Sequence, residues 1–545
     1  MVVKQQKKHA GDTKMTCVIA MIFNTGWGGM MAIPFVAINQ RNSRPGIAIV
    51  MTMLSDKRIN VRHSIKLNLQ AFFLIGILSL LSLSLSASEL PESVRHALKT
   101  AGIPETAVGV YVKEVTVKQP MLTMNPTQAL NPASVMKLVT TYAGLELLGP
   151  AFNWKTEFYA LGPIEGGVLK GDLAIKGYGD PQLNLENFWL LVRKLRQTGL
   201  KEITGNLILD NSYYQFSMGD PGAFDGSPLK TYNVFPEALL VNYRTTAFHI
   251  TPDPDRNSVR IVTDPISELL DLQNNLKLTR GHCGDWRNQM RVDIRKPEGN
   301  GGRVTATLSG NYSIQCGANI YYMSLHDSAA YIHDFFKKLW VQQGGIFKGS
   351  VQQGIVPKNM SPLTVYQSPP LAEIIRGINK FSNNVAARQL YLALGQSLGQ
   401  SGNAEFVSLD QSNIALRQWL FSKRLSFPEL VVENGSGLSR RERISAYHMG
   451  ELLVAAFHSP VMPEFMASLA ISSVDGTMRS RLRGSLVAGK AHMKTGTLND
   501  VSAVAGYVLD HKDRRSVVVF LVNHPNASNA RSAMDALIRW VYEKP

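Results

Sequence analysis

The chain has 545 residues, of which 45% are hydrophobic and 18% are charged, and its formal net charge is +16. This length is too great for one ordinary hydrophobic core, so we expect two to four domains, and the composition excludes a disordered or fibrous chain. Half of this net positive charge lies in residues 1–87. The rest of the chain has no dense cluster of basic residues with interleaved aromatic residues, so the sequence does not favour nucleic-acid binding.

The N-terminal part has the order of segments that is typical of a secretory signal peptide. Basic residues precede an apolar run that ends at Leu85, and small residues follow it. We therefore predict a cleaved signal peptide over residues 51–87. Residues 1–50 are a doubtful upstream extension, and we expect translation to begin at Met51 or Met53. A retained membrane anchor is the alternative, although the apolar run is short and rich in serine.

Two cysteines, Cys283 and Cys316, lie in polar, glycine-containing segments downstream of the predicted signal peptide. In an exported protein they are expected to form one disulfide, and two free thiols are the alternative. Further ligands at zinc-binding spacing do not accompany them, so we predict no metal site.

Local patterns after the signal peptide predict a protein with both helices and strands. Between residues 154 and 357, short apolar runs separated by Gly, Pro, Asn and Asp predict a β-rich region. Outside it we predict helices over Leu90–Ala101, 131–148, Leu371–Asn379, Asn384–Leu394, Ala446–Ala456 and Ser528–Tyr542, and strands over Val108–Val115, Ala491–Lys494, Val501–Leu509 and Ser516–Val522.

Ser134 and Lys137 form an S-x-x-K pair at the start of one predicted helix. Asn131 is suited to the N-cap and Pro132 to the first helical position. Residues three apart share a helix face, so the Lys137 amine is expected beside the Ser134 hydroxyl. A serine becomes a nucleophile when a nearby base takes its proton, and an amine of lowered pKa can do so.

Two further motifs follow in an order that is hard to attribute to chance. Ser382-Asn383-Asn384 begins a predicted helix, and Lys494-Thr495-Gly496-Thr497 ends a predicted strand. The order S-x-x-K, S-x-N, K-T-G is that of class A β-lactamases and penicillin-binding proteins. We therefore predict a serine acyltransferase that needs no cofactor.

Each motif has an expected role in that chemistry. Ser134 is the nucleophile, Lys137 the general base, and Ser382 a proton relay to the departing amine. Asn384 is expected to hold the substrate amide or the Lys137 side chain. Lys494, Thr495, Gly496 and Thr497 are expected to bind a terminal carboxylate, and the backbone N–H groups of Ser134 and Thr497 to stabilise the oxyanion.

The motifs and their spacing resemble the low-molecular-mass class C penicillin-binding proteins, the D-alanyl-D-alanine carboxypeptidase/endopeptidases of the bacterial envelope typified by penicillin-binding protein 4. The long interval between Ser134 and Ser382 matches a large insert in that family. The resemblance also rests on the segments Ser368-Pro369-Pro370-Leu371, Asn379-Lys380-Phe381, Gly435-Ser436-Gly437-Leu438-Ser439-Arg440, Val474-Asp475-Gly476-Thr477 and Leu498.

This resemblance implies an α+β fold. A β-lactamase/transpeptidase-like catalytic domain, an antiparallel sheet flanked by helices, is expected over residues 88–153 and 361–545. An inserted β-rich region of two subdomains is expected over 154–360. Arg440, and more weakly Asp225, are implied to contact the substrate side chain.

The resemblance also implies the activity and its partners. The substrates are expected to be peptidoglycan stem peptides and their cross-bridges, with β-lactam antibiotics acylating Ser134. Location in the periplasm, with at most peripheral membrane association, is expected, and the oligomeric state stays open. A serine β-lactamase and a non-catalytic cell-wall scaffold are the alternatives.

Overall fold

A computed structural model describes the chain over residues 18–25, 29–36, 89–215, 219–297, 302–399 and 405–544. The predicted signal peptide over 51–87 and most of the doubtful extension lie outside the described residues. Within the extension, Val18–Thr25 and Gly29–Val36 form an antiparallel pair, with Val18 opposite Val36. The described residues from Glu89 onward belong to one compact unit, which holds all three motifs.

The strands are labelled in chain order. They are β1 (Val18–Thr25), β2 (Gly29–Val36), β3 (Val108–Glu114), β4 (Leu122–Met124), β5 (Lys155–Leu161), β6 (Ile164–Glu165), β7 (Val168–Leu169), β8 (Asp172–Gly177), β9 (Glu202–Ile203), β10 (Leu207–Asp210), β11 (Thr246–Asp253), β12 (Ser258–Asp264), β13 (Leu270–Thr279), β14 (Met290–Arg295), β15 (Val304–Ser313), β16 (Asn319–Met323), β17 (Ile346–Phe347), β18 (Val351–Gln353), β19 (Thr364–Gln367), β20 (Ala470–Ile471), β21 (Ala491–Leu498), β22 (Val501–Leu509) and β23 (Arg515–Asn523).

The α-helices are labelled in the same way. They are α1 (Glu92–Thr100), α2 (Lys137–Leu147), α3 (Leu185–Gln197), α4 (Trp286–Gln289), α5 (Ser328–Gln342), α6 (Leu371–Phe381), α7 (Asn384–Ala393), α8 (Leu409–Ser422), α9 (Ala446–Phe457), α10 (Met462–Ala467) and α11 (Arg531–Glu543). Among these helices, none is both long enough and apolar enough to cross a membrane.

A six-stranded antiparallel sheet, in the order β20-β21-β22-β23-β3-β4, organises the part of the chain that carries the motifs. Successive side chains of β23 point to opposite faces of this sheet. Val517, Val519 and Leu521 pack into one core with the helices that carry Ser134 and Ser382. Val518, Phe520 and Val522 pack into a second core with α1 and α11. The central sheet is therefore buried on both faces, which confirms the α+β prediction.

The inserted region contains two further cores. One lies between the five-stranded sheet β18-β10-β8-β5-β19 and the helices α3 and α5. The other lies between the three-stranded sheets β12-β11-β16 and β13-β15-β14. The strand β19 pairs with β5 of the five-stranded sheet and ends at Gln367. The sheet of the insert therefore continues a few residues beyond the predicted boundary at 360. The second core includes the disulfide between Cys283 and Cys316.

The β-rich insert also contains two long helices that we did not predict from the sequence. The structure has α3 and α5 there, with 13 and 15 residues. The signal was present in the sequence: Phe188, Leu191, Val192 and Leu195 have helical spacing, and Asn184 caps the helix by accepting the N–H of Asn187. Outside the insert, α8, α10 and the short strands β4 and β20 were also not predicted. All helices and strands that were predicted there are present: β22 has the predicted ends, and the ends of the others are shifted.

Candidate active site

Ser134 lies on a 3₁₀ turn, Ala133–Met136, directly before α2. The Asn131 Oδ1 accepts the Ala133 N–H at 2.8 Å, and Ala133 has a φ of 46°, an unfavourable conformation for a residue with a side chain. The predicted α-helix beginning at Pro132 was therefore wrong in its first turn. Asn131 is in turn held by Asn523 of β23, whose Oδ1 accepts the Asn131 N–H at 2.8 Å.

Two glycines allow the backbone to approach this turn closely. A Cβ placed on Gly437 would lie 1.9 Å from the Ala133 carbonyl oxygen, and one on Gly496 would lie 2.5 Å from the Pro132 carbonyl oxygen. Both distances are too short for a side chain, so glycine is required at each position. The Ser134 turn is therefore clamped between the Gly435-Ser436-Gly437 segment and β21.

The Lys137 amine meets three oxygen atoms and is completely buried. Its Nζ lies 3.0 Å from Ser134 Oγ, as the sequence spacing predicts. It donates to Asn384 Oδ1 at 2.6 Å and also to the Ser436 carbonyl oxygen. The last two atoms can only accept hydrogen bonds. A neutral amine would satisfy both with its two N–H groups, and its lone pair would be left for the Ser134 hydroxyl.

The surroundings of Lys137 favour that neutral form. Burial, followed by the positive charge of Lys494, lowers its pKa well below the ordinary value, and Arg388 adds to the lowering. Glu442 acts in the opposite direction. Lys137 is thus suited to accept a proton from Ser134 near neutral pH.

The other two motifs meet through Ser382 and Lys494. Ser382 ends α6 in the left-handed conformation, with a φ of 60°, and its Oγ accepts a hydrogen bond from Lys494 Nζ at 3.0 Å. Lys494 also donates to the Thr495 carbonyl oxygen at 2.7 Å, and burial lowers its pKa to about 7. Asn384 begins α7 beside them. The structure therefore brings these residues into one cluster, in which Ser134 and Asn384 contact Lys137. Ser382 contacts Lys494, whose positive charge acts on Lys137.

The threonines of the third motif lie on β21 next to this cluster. Thr495 Oγ1 donates to Thr477 Oγ1 at 2.8 Å, so Val474-Asp475-Gly476-Thr477 borders the site. Thr497 is exposed and Gly496 is buried.

Arg440 is held at the edge of the site by an ion pair. Its Nη1 donates to Asp500 Oδ1 at 2.8 Å in the turn after β21, and its guanidinium lies 4.9 Å from the ring centre of Phe224. Asp225, the weaker candidate, follows Phe224 and accepts hydrogen bonds from Tyr232 and Asn233. The two candidates thus lie on the same side of the molecule, although Asp225 is occupied by its neighbours.

Sequence reasoning missed two groups that hold the cluster together. The first is the Ser436 carbonyl, a backbone atom that no side-chain pattern reveals. The second is the ion pair at 2.6 Å between Lys380, one residue before Phe381, and Asp475, which ties α6 to the loop before β21. Lys380 and Asp475 both fall within segments that carry the family resemblance, so the signal existed without an assigned role.

A cavity of about 740 Å³ opens beside the second motif. It reaches from Ser382 and Asn384 to Tyr232, His249 and Tyr322 of the insert. This volume falls in the range of small-molecule sites. Among the described residues no group of His, Cys, Asp and Glu is suited to hold a metal ion.

The comparisons with known proteins agree on one family. The D-Ala-D-Ala carboxypeptidase 3 (S13) family matches residues 90–543. A D-alanyl-D-alanine carboxypeptidase of Actinomadura sp. (strain R39) is 26% identical over 436 residues, which is 77% of this chain and 78% of that protein. The D-alanyl-D-alanine carboxypeptidase DacB of Haemophilus influenzae is 24% identical, over 78% of this chain and 87% of that protein.

Solved structures agree on the fold. The crystal structure of penicillin binding protein 4 from Haemophilus influenzae is 21% identical, covers 83% of this chain and 100% of its own, and superposes with a TM-score of 0.67. The same protein complexed with a novel β-lactam gives a TM-score of 0.64, at 20% identity and with the same coverage of both chains.

Proposed function

This chain belongs to the D-Ala-D-Ala carboxypeptidase 3 (S13) family, and on that premise we propose that Ser134 is its acyl-enzyme nucleophile and Lys137 its general base. The protein is a serine-type D-alanyl-D-alanine carboxypeptidase that acts on peptidoglycan and binds penicillin.

One observation carries this assignment. The buried Lys137 Nζ contacts Ser134 Oγ at 3.0 Å while its two other contacts are oxygens that can only accept. This arrangement supports a free amine whose lone pair faces the hydroxyl proton. The nearby Lys494 charge supports the same protonation state.

Acylation then proceeds as a balanced proton transfer and substitution. Lys137 accepts the Ser134 proton as Oγ bonds to the carbonyl carbon of the penultimate D-alanine. The tetrahedral oxyanion would be stabilised by the N–H groups of Ser134 and Thr497. The peptide C–N bond breaks as Ser382 gives its hydroxyl proton to the departing D-alanine amine and takes a proton from Lys494, which contacts it at 3.0 Å. Water next attacks the ester and releases Ser134 by the reverse proton movements.

The substrate's terminal carboxylate would meet Lys494, Thr495 and Thr497. A buried ammonium beside hydroxyl groups is suited to an anionic end group. Asn384 would either hold the substrate amide or serve only to hold the Lys137 side chain. Arg440 would contact the side chain of the stem peptide at the edge of the site. Cleavage of cross-bridges between stems requires the same bond chemistry, and the cavity between Ser382 and the insert offers space for the second peptide.

We also propose that the protein works in the periplasm after its signal peptide has been removed. The order of basic, apolar and small residues before Glu89 supports export. The disulfide between Cys283 and Cys316 is compatible with an oxidising compartment. N-terminal sequencing of the mature protein from a periplasmic fraction tests both points, and a retained N-terminus before residue 85 would contradict them.

The test of the site is product analysis with digested peptidoglycan. Wild-type protein should release D-alanine and cleave cross-bridges, and Ser134→Ala should abolish both while leaving the protein folded. Rapid steady-state turnover of a chromogenic cephalosporin would instead favour the β-lactamase alternative. Intact substrate after incubation with wild-type protein would favour the scaffold.

A further inference from the structure

The segment Val474-Asp475-Gly476-Thr477 borders the site, but none of the steps proposed for acylation uses its threonine. Thr477 lies on a 3₁₀ turn, Gly476–Met478, between β20 and β21. It is exposed, and its Oγ1 accepts a hydrogen bond from Thr495 Oγ1 at 2.8 Å. A hydroxyl of this turn is therefore in direct contact with the motif that is proposed to bind the substrate carboxylate.

The turn is fixed against the end of α6. The Asp475 Oδ2 accepts a hydrogen bond from Lys380 Nζ at 2.6 Å, and its Oδ1 accepts the Ile471 N–H at 2.8 Å. A Cβ on Gly476 would lie 2.5 Å from the Lys380 carbonyl oxygen, so the backbone of the turn packs directly on the helix. These restraints hold the Thr477 hydroxyl in a defined position.

The hydrogen bond between the two threonines leaves one proton for a ligand. Each threonine hydroxyl carries a single proton. Thr495 donates its proton to Thr477, and among the described residues the Thr477 proton has no acceptor. A hydroxyl that already accepts a hydrogen bond is polarised and donates more strongly. The pair therefore presents a strengthened donor at Thr477.

The charges around this donor favour an anion. Lys494 precedes Thr495 on β21, donates to its carbonyl oxygen at 2.7 Å, and is the cation of the proposed carboxylate site. Asp475 is paired with Lys380, so within residues 474–478 no negative charge is left unpaired. A hydrogen bond to a charged carboxylate is about twice as strong as one to a neutral group. The position of Thr477 thus suits a carboxylate better than a neutral amide.

We propose that Thr477 binds the terminal carboxylate of the substrate: it donates a hydrogen bond to a carboxylate oxygen while it accepts one from Thr495, and so helps to select peptides with a free C-terminus. This inference rests on the proposed function, because it adds a residue to the proposed carboxylate site. It also gives the ion pair of Lys380 and Asp475 a role in substrate selection, since that pair holds the turn.

Thr477→Val tests the hydroxyl, because valine keeps the shape of the side chain. The measurement is kcat/KM for release of D-alanine from a peptide ending in D-Ala-D-Ala, and of D-alaninamide from its C-terminal amide. For the carboxylate peptide we expect a fall of at least about tenfold, since a hydrogen bond to a charged group is lost. For the amide the fall should be at most about threefold, because a neutral acceptor gains less from the same donor. An unchanged ratio between the two substrates overturns the proposal.

Two shorter variants test the same hydroxyl by rescue. Thr477→Ser and Thr477→Ala both remove the methyl group, and only serine keeps the hydroxyl. For the carboxylate peptide, the serine variant should stay within about threefold of wild type, whereas the alanine variant should lose as much as Thr477→Val. Equal rates for the serine and alanine variants would refute the role of the hydroxyl.

Ser473→Ala is the matched control for a loosened turn. The Ser473 Oγ donates to the Arg481 carbonyl oxygen at 2.9 Å within the same loop. Its loss should change kcat/KM for both peptides by the same factor and leave their ratio unchanged. If the ratio falls equally in Ser473→Ala and Thr477→Val, the loop and not the Thr477 hydroxyl selects the substrate, and the proposal is wrong.

Failure of the proposed function is distinguishable from failure of this inference. If wild-type protein releases no D-alanine, the assignment of Ser134 and Lys137 fails, and the role of Thr477 fails with it. If wild-type protein is active and prefers the free carboxylate, while the Thr477 variants keep its rates, only the role of Thr477 fails.

Discussion

Replacing Gly437 by alanine should disable the nucleophile while leaving most of the protein intact. A Cβ at this position would lie 1.9 Å from the Ala133 carbonyl oxygen, 2.3 Å from the carbonyl carbon and 2.6 Å from the Ser134 nitrogen. These neighbours are backbone atoms, so no flexible side chain can swing aside. Restoring ordinary contact requires a displacement on the order of 1.5 Å in the turn that carries Ser134.

The expected loss follows from this displacement. Misplacing a reacting group by about 1 Å costs about 100-fold in rate. We therefore expect the second-order rate constant for acylation by a fluorescent penicillin to fall by at least about 100-fold. Gly437 also has a φ of +81°, which is unfavourable for alanine. The substitution should therefore lower the free energy of unfolding by about 1 to 2 kcal/mol through the backbone conformation alone.

Gly484→Ala is the matched control for this variant. Gly484 has a φ of +68°, and a Cβ there would meet nothing within 4 Å. It shares the backbone penalty but has no clash, so it should lose no more stability in urea unfolding than Gly437→Ala and keep its acylation rate within about twofold. An acylation rate for Gly437→Ala within about threefold of wild type would refute the claim that this glycine sets the position of Ser134.

Three other predictions concern the ion pair of Lys380, the buried carboxyl of Asp180 and the charge of Lys494. Lys380→Met should lower the free energy of unfolding by about 2 to 3 kcal/mol in urea titrations, because it strands Asp475, and an unchanged midpoint would contradict this. Burial raises the pKa of Asp180 to about 7 in the folded protein. In the unfolded chain the same carboxyl ionises near pH 4. The contribution of Asp180 to wild-type stability should therefore fall between about pH 4 and pH 7, by at most about 4 kcal/mol. Asp180→Asn removes that dependence, so its stability relative to wild type should rise over this range, and a constant difference would contradict the assignment. The Lys494 pKa of about 7 means that the free enzyme loses this cation at higher pH. Above pH 7, kcat/KM should then fall more steeply for a peptide ending in D-Ala-D-Ala than for its C-terminal amide, which needs Lys494 only for the relay through Ser382. Equal profiles would refute carboxylate binding by Lys494.

Much of the site could be predicted because its chemistry is encoded locally. The spacing of Ser134 and Lys137 places them within 3.0 Å, whether the first turn is α or 3₁₀, because both helices bring residues three apart together. The short apolar runs of β22 and β23 predicted strands for a similar local reason, since a strand buried on both faces is apolar along its length.

Predictions were weakest where distant parts of the chain decide local conformation. The left-handed φ of Ala133 depends on Asn131, which Asn523 holds from the far end of the chain. The ion pair of Arg440 with Asp500 likewise joins segments sixty residues apart. Neither contact leaves a periodic pattern in the sequence.

The sequence by itself therefore determined which groups carry the chemistry: a serine with a lysine three residues later, and two motifs that supply the partners. Tertiary structure alone decided the protonation state and position of those groups. Folding buries Lys137 and Lys494 together and places Glu442 and the Ser436 carbonyl around the base. A pKa depends on the charges and the solvent that surround a group in space, and only the folded chain brings residues 137, 442 and 494 into one low-dielectric site.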